Sequence, residues 1–102
     1  MSDNLLQFVG WCKRYQSRLP EGTKSDLKWG SAGDNPSGHL TLEKPNGIMG
    51  TLSYWRSGSA DWNILQPDQD DILDRTDDLD PRHFDRTFEA FTRWFDVKED
   101  TN

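Results

Sequence analysis

Apolar side chains recur at steps of three and four residues near the start of the chain, from Asp3 to about Arg18. These positions are Leu5, Phe8, Val9, Cys12, Tyr15 and Leu19. They share one face of a helix. Ser2 or Asp3 can cap the start of this helix, and Pro20 with Gly22 can end it. The pattern predicts an N-terminal helix with one buried face.

The middle of the chain alternates between apolar and polar residues, as strands with one buried face do. The alternating segments are 26–29, 39–43, 48–55, 60–65 and, with unclear register, 72–75. Turn residues separate the central segments at 44–47 and at Ser57 and Gly58. Met49, Trp55 and Leu65 fall on the side away from Leu40 and Leu42. The pattern predicts an antiparallel sheet of three to five strands.

A second helical pattern follows Asp80 and Pro81, which are favourable residues at a helix start. Phenylalanine recurs there at positions 84, 88, 91 and 95, so the rings form one stripe. A C-terminal helix is therefore predicted, with a frayed tail at 98–102. The whole chain, 1–102, is expected to form a single α+β domain in two layers.

The net negative charge of the chain lies in its second half. Residues 1–50 contain six Lys or Arg against five Asp or Glu, whereas residues 51–102 contain six against thirteen. A net charge of −6 repels a phosphate backbone, so nucleic acid is an unfavourable partner. The same field attracts a basic protein surface and speeds encounter with it.

The termini and the single cysteine bear on the compartment. Cys12 has no second cysteine to pair with, which fits a reducing environment. No basic and apolar leader follows Met1, and no apolar run approaches the roughly 20 residues that span a bilayer. The expected location is the cytoplasm, without membrane association.

No constellation for catalysis or metal binding stands out. His39, His83 and Cys12 lie on different predicted elements, against the clustering that zinc requires. The run that begins at Asp68 resembles a calcium loop only superficially, because Leu73 stands where that loop needs glycine. We therefore predict a protein that is not an enzyme and that uses no cofactor, metal or small-molecule substrate.

Two surfaces remain as candidates for binding. The first is the acidic run 68–80, which serves either solubility alone or the docking of a basic partner. The second is the sheet face with Met49, Trp55 and Leu65, whose apolar side chains stand among polar ones. Such a composition is typical of a recognition surface. The alternative is that Trp55 packs locally over a sheet edge.

The segment 47–65, GIMGTLSYWRSGSADWNIL, resembles the central hairpin of the TriTu-type immunity proteins. The resemblance lies in a strand that ends at Trp55, a turn at Ser57 and Gly58, and a strand that Asp61 opens and Leu65 closes. The order of helix, antiparallel sheet and helix is also similar to that family's plan.

The resemblance implies an antitoxin that binds and blocks an interbacterial toxin from an Rhs or type VI secretion system. Such a toxin would be an ADP-ribosyltransferase that modifies elongation factor Tu with NAD, and the immunity protein, bound as a 1:1 heterodimer, would need no cofactor. The expected contact residues are Trp55, Arg56, Asp61, Asp68, Asp70, Asp71, Asp74, Asp77 and Asp78. Two alternatives remain: an acidic adaptor for another basic protein, and a cation-dependent enzyme built on the aspartates.

Overall fold

The structure is a computed structural model that describes residues 4–30, 33 and 36–96. Helix α1 (Asn4–Gln16) comes first. Five strands follow: β1 (Lys24–Trp29), β2 (Ser37–Glu43), β3 (Met49–Trp55), β4 (Ala60–Leu65) and β5 (Ile72–Thr76). The C-terminal part holds a 3-10 helix (Pro81–His83) and two short helices, α2 (Phe84–Thr87) and α3 (Glu89–Thr92). The predicted α+β class and element order are confirmed.

The strands form one antiparallel sheet in the order β1-β2-β3-β4-β5, so each strand pairs with its neighbours in sequence. Leu40 of β2 lies opposite Leu52 of β3, which in turn lies opposite Trp62 of β4. All three are buried. The residues that flank Leu40 on β2 and Trp62 on β4 are only half-buried. The alternation read from the sequence is therefore confirmed.

The helices cover one face of this sheet and build an aromatic core there. Phe8 of α1 stacks on Tyr54 of β3 with ring centroids 5.3 Å apart. The rings of Phe84 and Phe88 meet Phe8 edge-on, at 5.9 and 6.1 Å. Phe91 of α3 contacts Trp62 of the sheet at 5.9 Å. The two predicted layers are thus one sheet and one helical layer.

Helix α1 buries the predicted stripe. Phe8 and Cys12 are fully enclosed, whereas Leu19, beyond the end of the helix, is only partly buried. Trp11, which the pattern placed beside the stripe, is also buried, and its indole N–H donates to Asp85 at 2.8 Å. The proposed caps at Ser2 and Asp3 lie outside the described residues.

The predicted C-terminal helix is present as three short pieces, the 3-10 helix, α2 and α3. The rings of all four phenylalanines are buried as the stripe predicts, but the backbone leaves helical geometry at Phe88, where ψ is 3°. Several later bonds span three residues, from Phe91 N–H to Phe88 O and from Phe95 N–H to Thr92 O. These tighter turns are typical of short 3-10 pieces.

Gly50 sits where the sheet and the C-terminal helices approach most closely. A Cβ atom at this position would lie 2.8 Å from the rings of Phe91 and Phe95. Only glycine leaves room for both rings at this point of β3.

Within the described part of the chain, no helix has the length and apolar content that a membrane crossing requires.

Candidate functional site

The open face is the side of the sheet opposite the helices, and no helix of the described ranges packs on it. Met49, Trp55, Asp61 and Leu65 all lie there, as the alternation predicted. The first three are half-buried and Leu65 is 42% exposed. The open face therefore combines apolar and charged groups at the surface.

A histidine cluster occupies one end of the open face and consists of Ser37, His39, Ser53 and Trp55. His39 Nε2 lies 3.0 Å from Ser37 Oγ, and His39 Nδ1 lies 2.8 Å from Ser53 Oγ. Trp55 stands edge-on to the imidazole at 6.0 Å. A neutral imidazole donates through one nitrogen and accepts through the other, so it can satisfy both hydroxyls. His39 therefore links the two serines and contacts Trp55.

An apolar patch occupies the other end of the open face and consists of Met49, Leu65 and Leu73. Met49 and Leu65 are direct cross-strand partners. Leu73 lies opposite Asn63 and hence diagonal to Leu65, a separation of about 7–8 Å. Leu73 is 73% exposed, more than any other large apolar side chain in the described residues. The patch is the most exposed apolar region of the sheet.

The sequence placed Met49, Trp55 and Leu65 on one surface, and the structure separates them along it. Trp55 follows Met49 by six residues on β3. Strands rise about 3.4 Å per residue, so the two side chains are about 20 Å apart. The open face thus carries two separate groups of side chains, the histidine cluster and the apolar patch.

The acidic run 68–80 is likewise divided between the two ends of the sheet. Asp68, Asp70 and Asp71 are exposed in the β4–β5 connection, beside the end that holds the apolar patch. Asp77 and Asp78 lie at the opposite end, where Ser59 Oγ donates to Asp77 Oδ1 at 3.1 Å. The run therefore follows one edge of the sheet instead of forming a compact cluster.

The remaining predicted contact residues lie between or beside these groups. Asp74, in the middle of β5, is opposite Trp62 and so projects to the helix side of the sheet edge, where it is exposed. Asp61 lies on the open face between its cross-strand partners Ser53 and Arg75. Arg56 is exposed in the turn after β3, and its backbone N–H donates to Pro36 O at 2.9 Å.

Asn63, at the centre of the open face, carries an unusual acceptor. Its Oδ1 atom is buried and has no hydrogen-bond partner among the described residues. Asn63 is flanked across the strands by Thr51 and Leu73. An unsatisfied acceptor costs about 1–3 kcal/mol, so a donor brought to this point by a small rearrangement would gain a bond.

The groups with metal or nucleophilic potential are placed apart. No three His, Cys, Asp or Glu side chains within the described ranges are grouped so that they could hold a metal ion. Cys12 lies on the buried side of α1, and burial raises the pKa of its thiol far above the usual range. A protonated, enclosed thiol is a poor nucleophile.

Cavities lie on the helix side of the sheet. One of about 340 Å³ lies between α1 and the 3-10 helix and is lined by Leu6, Arg14 and Arg82 among others. Arg82 forms an ion pair with Asp80 at 2.8 Å, and this pairing lowers the pKa of Asp80 to about 2. Asp80 Oδ1 also accepts from the backbone N–H of Arg82, which confirms the predicted cap.

Sequence reasoning missed Leu73 and the histidine cluster. Ile72 and Leu73 are adjacent apolar residues, so the alternation that sets strand register is absent at this point. The cluster arises from cross-strand neighbours, since His39 and Ser53 are direct partners. A pairing of 39–43 with 48–55 through the turn at 44–47 would have brought these two residues together.

Scans of protein-family models, curated proteins and solved structures found no match to this chain.

Proposed function

We propose that this protein is an immunity protein that binds a cognate interbacterial toxin and blocks it. The observation that carries the proposal is the one-sided sheet, whose open face exposes the apolar patch beside the carboxylates of the β4–β5 connection. Exposed apolar side chains bordered by charges are typical of protein recognition sites. The resemblance of segment 47–65 to the TriTu-type hairpin supports the choice of a toxin as partner.

The charge distribution suits a toxin that binds NAD. A cleft that holds a pyrophosphate needs basic groups, and the carboxylates of residues 68–78 are complementary to such groups. Complementary charges raise the rate of association and exclude partners of the wrong sign. The proposed toxin is an ADP-ribosyltransferase that acts on elongation factor Tu, and the proposed block covers its NAD site or its target site.

The test is co-purification with the toxin domain encoded next to this protein, followed by affinity measurement on two matched variants. Leu73→Asp places a charge in the apolar patch and should weaken binding by about 10- to 100-fold. Leu6→Asp is the control, because Leu6 is 60% exposed on the helical layer. No binding at micromolar concentration, or equal losses for both variants, would refute the proposal.

Charge reversal tests the acidic contribution separately. Replacing Asp68, Asp70, Asp71 and Asp74 with lysine should slow association and flatten its dependence on salt. An unchanged association rate would assign these carboxylates to solubility alone.

The second candidate is an acidic adaptor for a different basic protein. The same open face supports it, since the apolar patch and its carboxylates specify a chemistry and not a particular partner. Capture of a basic protein other than the neighbouring toxin, with loss on Leu73→Asp and retention on Leu6→Asp, would favour the adaptor.

A further inference from the structure

The two edges of the sheet, β1 and β5, differ in a way that points to a mode of binding. Within the described residues, no strand pairs with the outer edge of either one. An unpaired edge offers a row of backbone N–H and C=O groups to another chain.

The hydrogen-bond pattern tells which groups of β5 face outward. Trp55 N–H donates to Ser59 O at 2.8 Å, so this pair is of the hydrogen-bonded kind. Such pairs alternate along antiparallel strands, and Asp61 therefore bonds to Ser53 across β3 and β4. Asp61 consequently makes no backbone bond to Arg75, its partner on β5. The backbone N–H and C=O of Arg75 must point away from β4.

A side-chain contact independently indicates that the backbone N–H of Arg75 points away from β4. The backbone N–H of Arg75 donates to Asp74 Oδ1 at 2.8 Å, which a group bonded within the ladder could not do well. Leu73, two residues earlier, has the same orientation because the pattern repeats every two residues. The outward edge of β5 therefore presents the backbone groups of Leu73 and Arg75, and a carboxylate caps one of them.

The side chains around this edge are acidic and apolar. Asp74 stands on the helix side and Leu73, 73% exposed, on the open side. Asp71 and Asp77 flank the strand, and Arg75 offsets only part of this charge through its contact with Asp77 at 3.4 Å. A strand laid on this edge would need basic residues toward the helix side and apolar ones toward Leu73.

The β1 edge is not acidic and apolar in this way. Its side chains contact α1 or form an ion pair with each other. Gln16 of α1 donates to Ser25 Oγ at 3.1 Å, and Lys13 stands over the ring of Trp29 at 5.1 Å. Lys28 and Asp26 neutralise each other at 3.6 Å. The strand holds two lysines, Lys24 and Lys28, against one aspartate, so this edge does not attract a basic partner.

We propose that an extended basic segment of the partner protein adds to the sheet as a sixth strand along β5. The proposal rests on the proposed binding function but not on the identity of the toxin. A second copy of this chain is disfavoured, because two β5 edges would bring their aspartates together and like charges across strands repel. Backbone bonds to Leu73 and Arg75 give affinity, and alternate side chains give specificity.

Asp74 controls access to the edge in this scheme. Its carboxylate occupies the Arg75 N–H as long as no partner is present. A lysine or arginine on the helix side of the incoming strand attracts the carboxylate into an ion pair, and the N–H then becomes available to a partner carbonyl. The edge is protected from neutral or acidic strands and opens to basic ones.

The probe is a short peptide of alternating lysine and valine, labelled for fluorescence anisotropy and added to the full chain. We expect it to bind and to slow hydrogen exchange at the amides of Leu73 and Arg75 by about tenfold or more. The control peptide has the same side chains but methylated nitrogens at alternate positions, so it cannot complete the backbone bonds. It should bind at least about tenfold more weakly.

Two pairs of variants locate the site. Leu73→Pro removes an outward N–H without breaking the pairing with β4, and it should abolish peptide binding. Ser25→Pro is the matched change on β1, where Ser25 also directs its N–H outward, and it should leave binding unchanged. Asp74→Lys changes an exposed side chain and leaves the backbone groups of β5 in place. This variant should bind a peptide of alternating glutamate and valine more tightly than the lysine and valine peptide.

Several results would overturn the inference. These are absence of peptide binding up to about 1 mM, equal binding of the methylated peptide, protection at Leu27 instead of Leu73, and self-association that protects the same β5 amides. The larger proposal is separable. If the toxin binds and Leu73→Asp weakens it, but Leu73→Pro weakens it no more than Leu73→Ala does, only the added strand is wrong. If no toxin binds while the peptide behaves as expected, only the immunity function is wrong.

Discussion

The two faces of the sheet are made from the same strands, yet one is buried under the helices and the other is open. The inner face places Leu40, Leu52 and Tyr54 under aromatic rings, and each of these residues is fully buried. The open face places a half-buried Trp55 at one end and an exposed Leu73 at the other. Alternate residues therefore lie in the core or at the surface, and the side on which a residue lies decides how much its replacement should change the stability of the fold.

The largest contrast between the faces is expected from deletion of a ring. Phe88 is fully buried and meets Phe8 at 6.1 Å and Trp11 at 5.2 Å. Phe88→Ala should lower the free energy of unfolding by about 3–5 kcal/mol. Leu65→Ala on the open face, where 42% of the residue is exposed, should cost less than about 1.5 kcal/mol. Denaturant unfolding measures both, and similar losses would contradict the assignment of faces.

A smaller contrast is expected from adding one methyl group. Gly50→Ala brings a Cβ atom to 2.8 Å from Phe91 and Phe95, and overpacking of this kind costs about 1–3 kcal/mol. Gly30→Ala is the control, since a Cβ atom there has nothing within 4 Å. Its effect on thermal unfolding should stay within about 0.5 kcal/mol. A Gly50→Ala protein as stable as the control would show that the helical layer can shift.

The smallest effect is expected at the rim of the inner face, from one hydroxyl. Tyr15 donates to Asp96 Oδ1, and the two oxygens are 3.0 Å apart. Tyr15→Phe should cost about 1 kcal/mol at neutral pH. Burial and Asp96 raise the pKa of Tyr15, so the hydroxyl's contribution is complete below the unfolded pKa of about 10 and is lost as the pH rises further.

The difference between wild type and Tyr15→Phe should therefore narrow above about pH 10. The buried Cys12 thiol also has a raised pKa, but it is present in both proteins and cancels from the comparison. Unfolding curves at neutral and alkaline pH provide the measurement. A difference that stays constant with pH would mean that Tyr15 ionises as readily in the folded protein as in the unfolded one.

The faces of the central strands could be predicted because a strand repeats every two residues. Leu40 and Leu42 alternate with polar neighbours, and Trp62 and Ile64 are separated by the polar Asn63. The strand β5 lacked this signal, because Ile72 and Leu73 are both apolar although they face opposite sides. The side of Leu73, and with it the apolar patch, became clear only from the pairing with β4.

The C-terminal helix illustrates a second limit. Spacing alone placed the four phenylalanines on one stripe, and all four rings are buried. The break at Phe88 is a response to packing: the rings meet the sheet and α1 at once, and the backbone tightens to seat them. Periodicity reports which side of a segment is buried and not whether its helix is continuous.

The candidate site was predictable in composition and not in arrangement. Trp55, Asp61 and the aspartates of 68–78 are at the surface, but they belong to two ends of the sheet. Six residues separate Trp55 from Met49 on one strand, so their distance could have been derived once that strand was accepted. The outward N–H of Arg75 depends on the bonding pattern of three strands, which residue types alone do not encode.

The order of the elements also has a consequence for how the chain folds during synthesis. Every strand pairs with a neighbour in sequence, and such short-range pairings form early. The helical layer joins distant parts of the chain instead, as in the bond from Trp11 to Asp85, 74 residues apart. A ribosome-bound chain that has not yet released residues 84–95 can pair its strands and dock α1, but it cannot cover the rest of the apolar side. Until those residues emerge, part of the inner face is exposed, and the nascent protein is prone to aggregation.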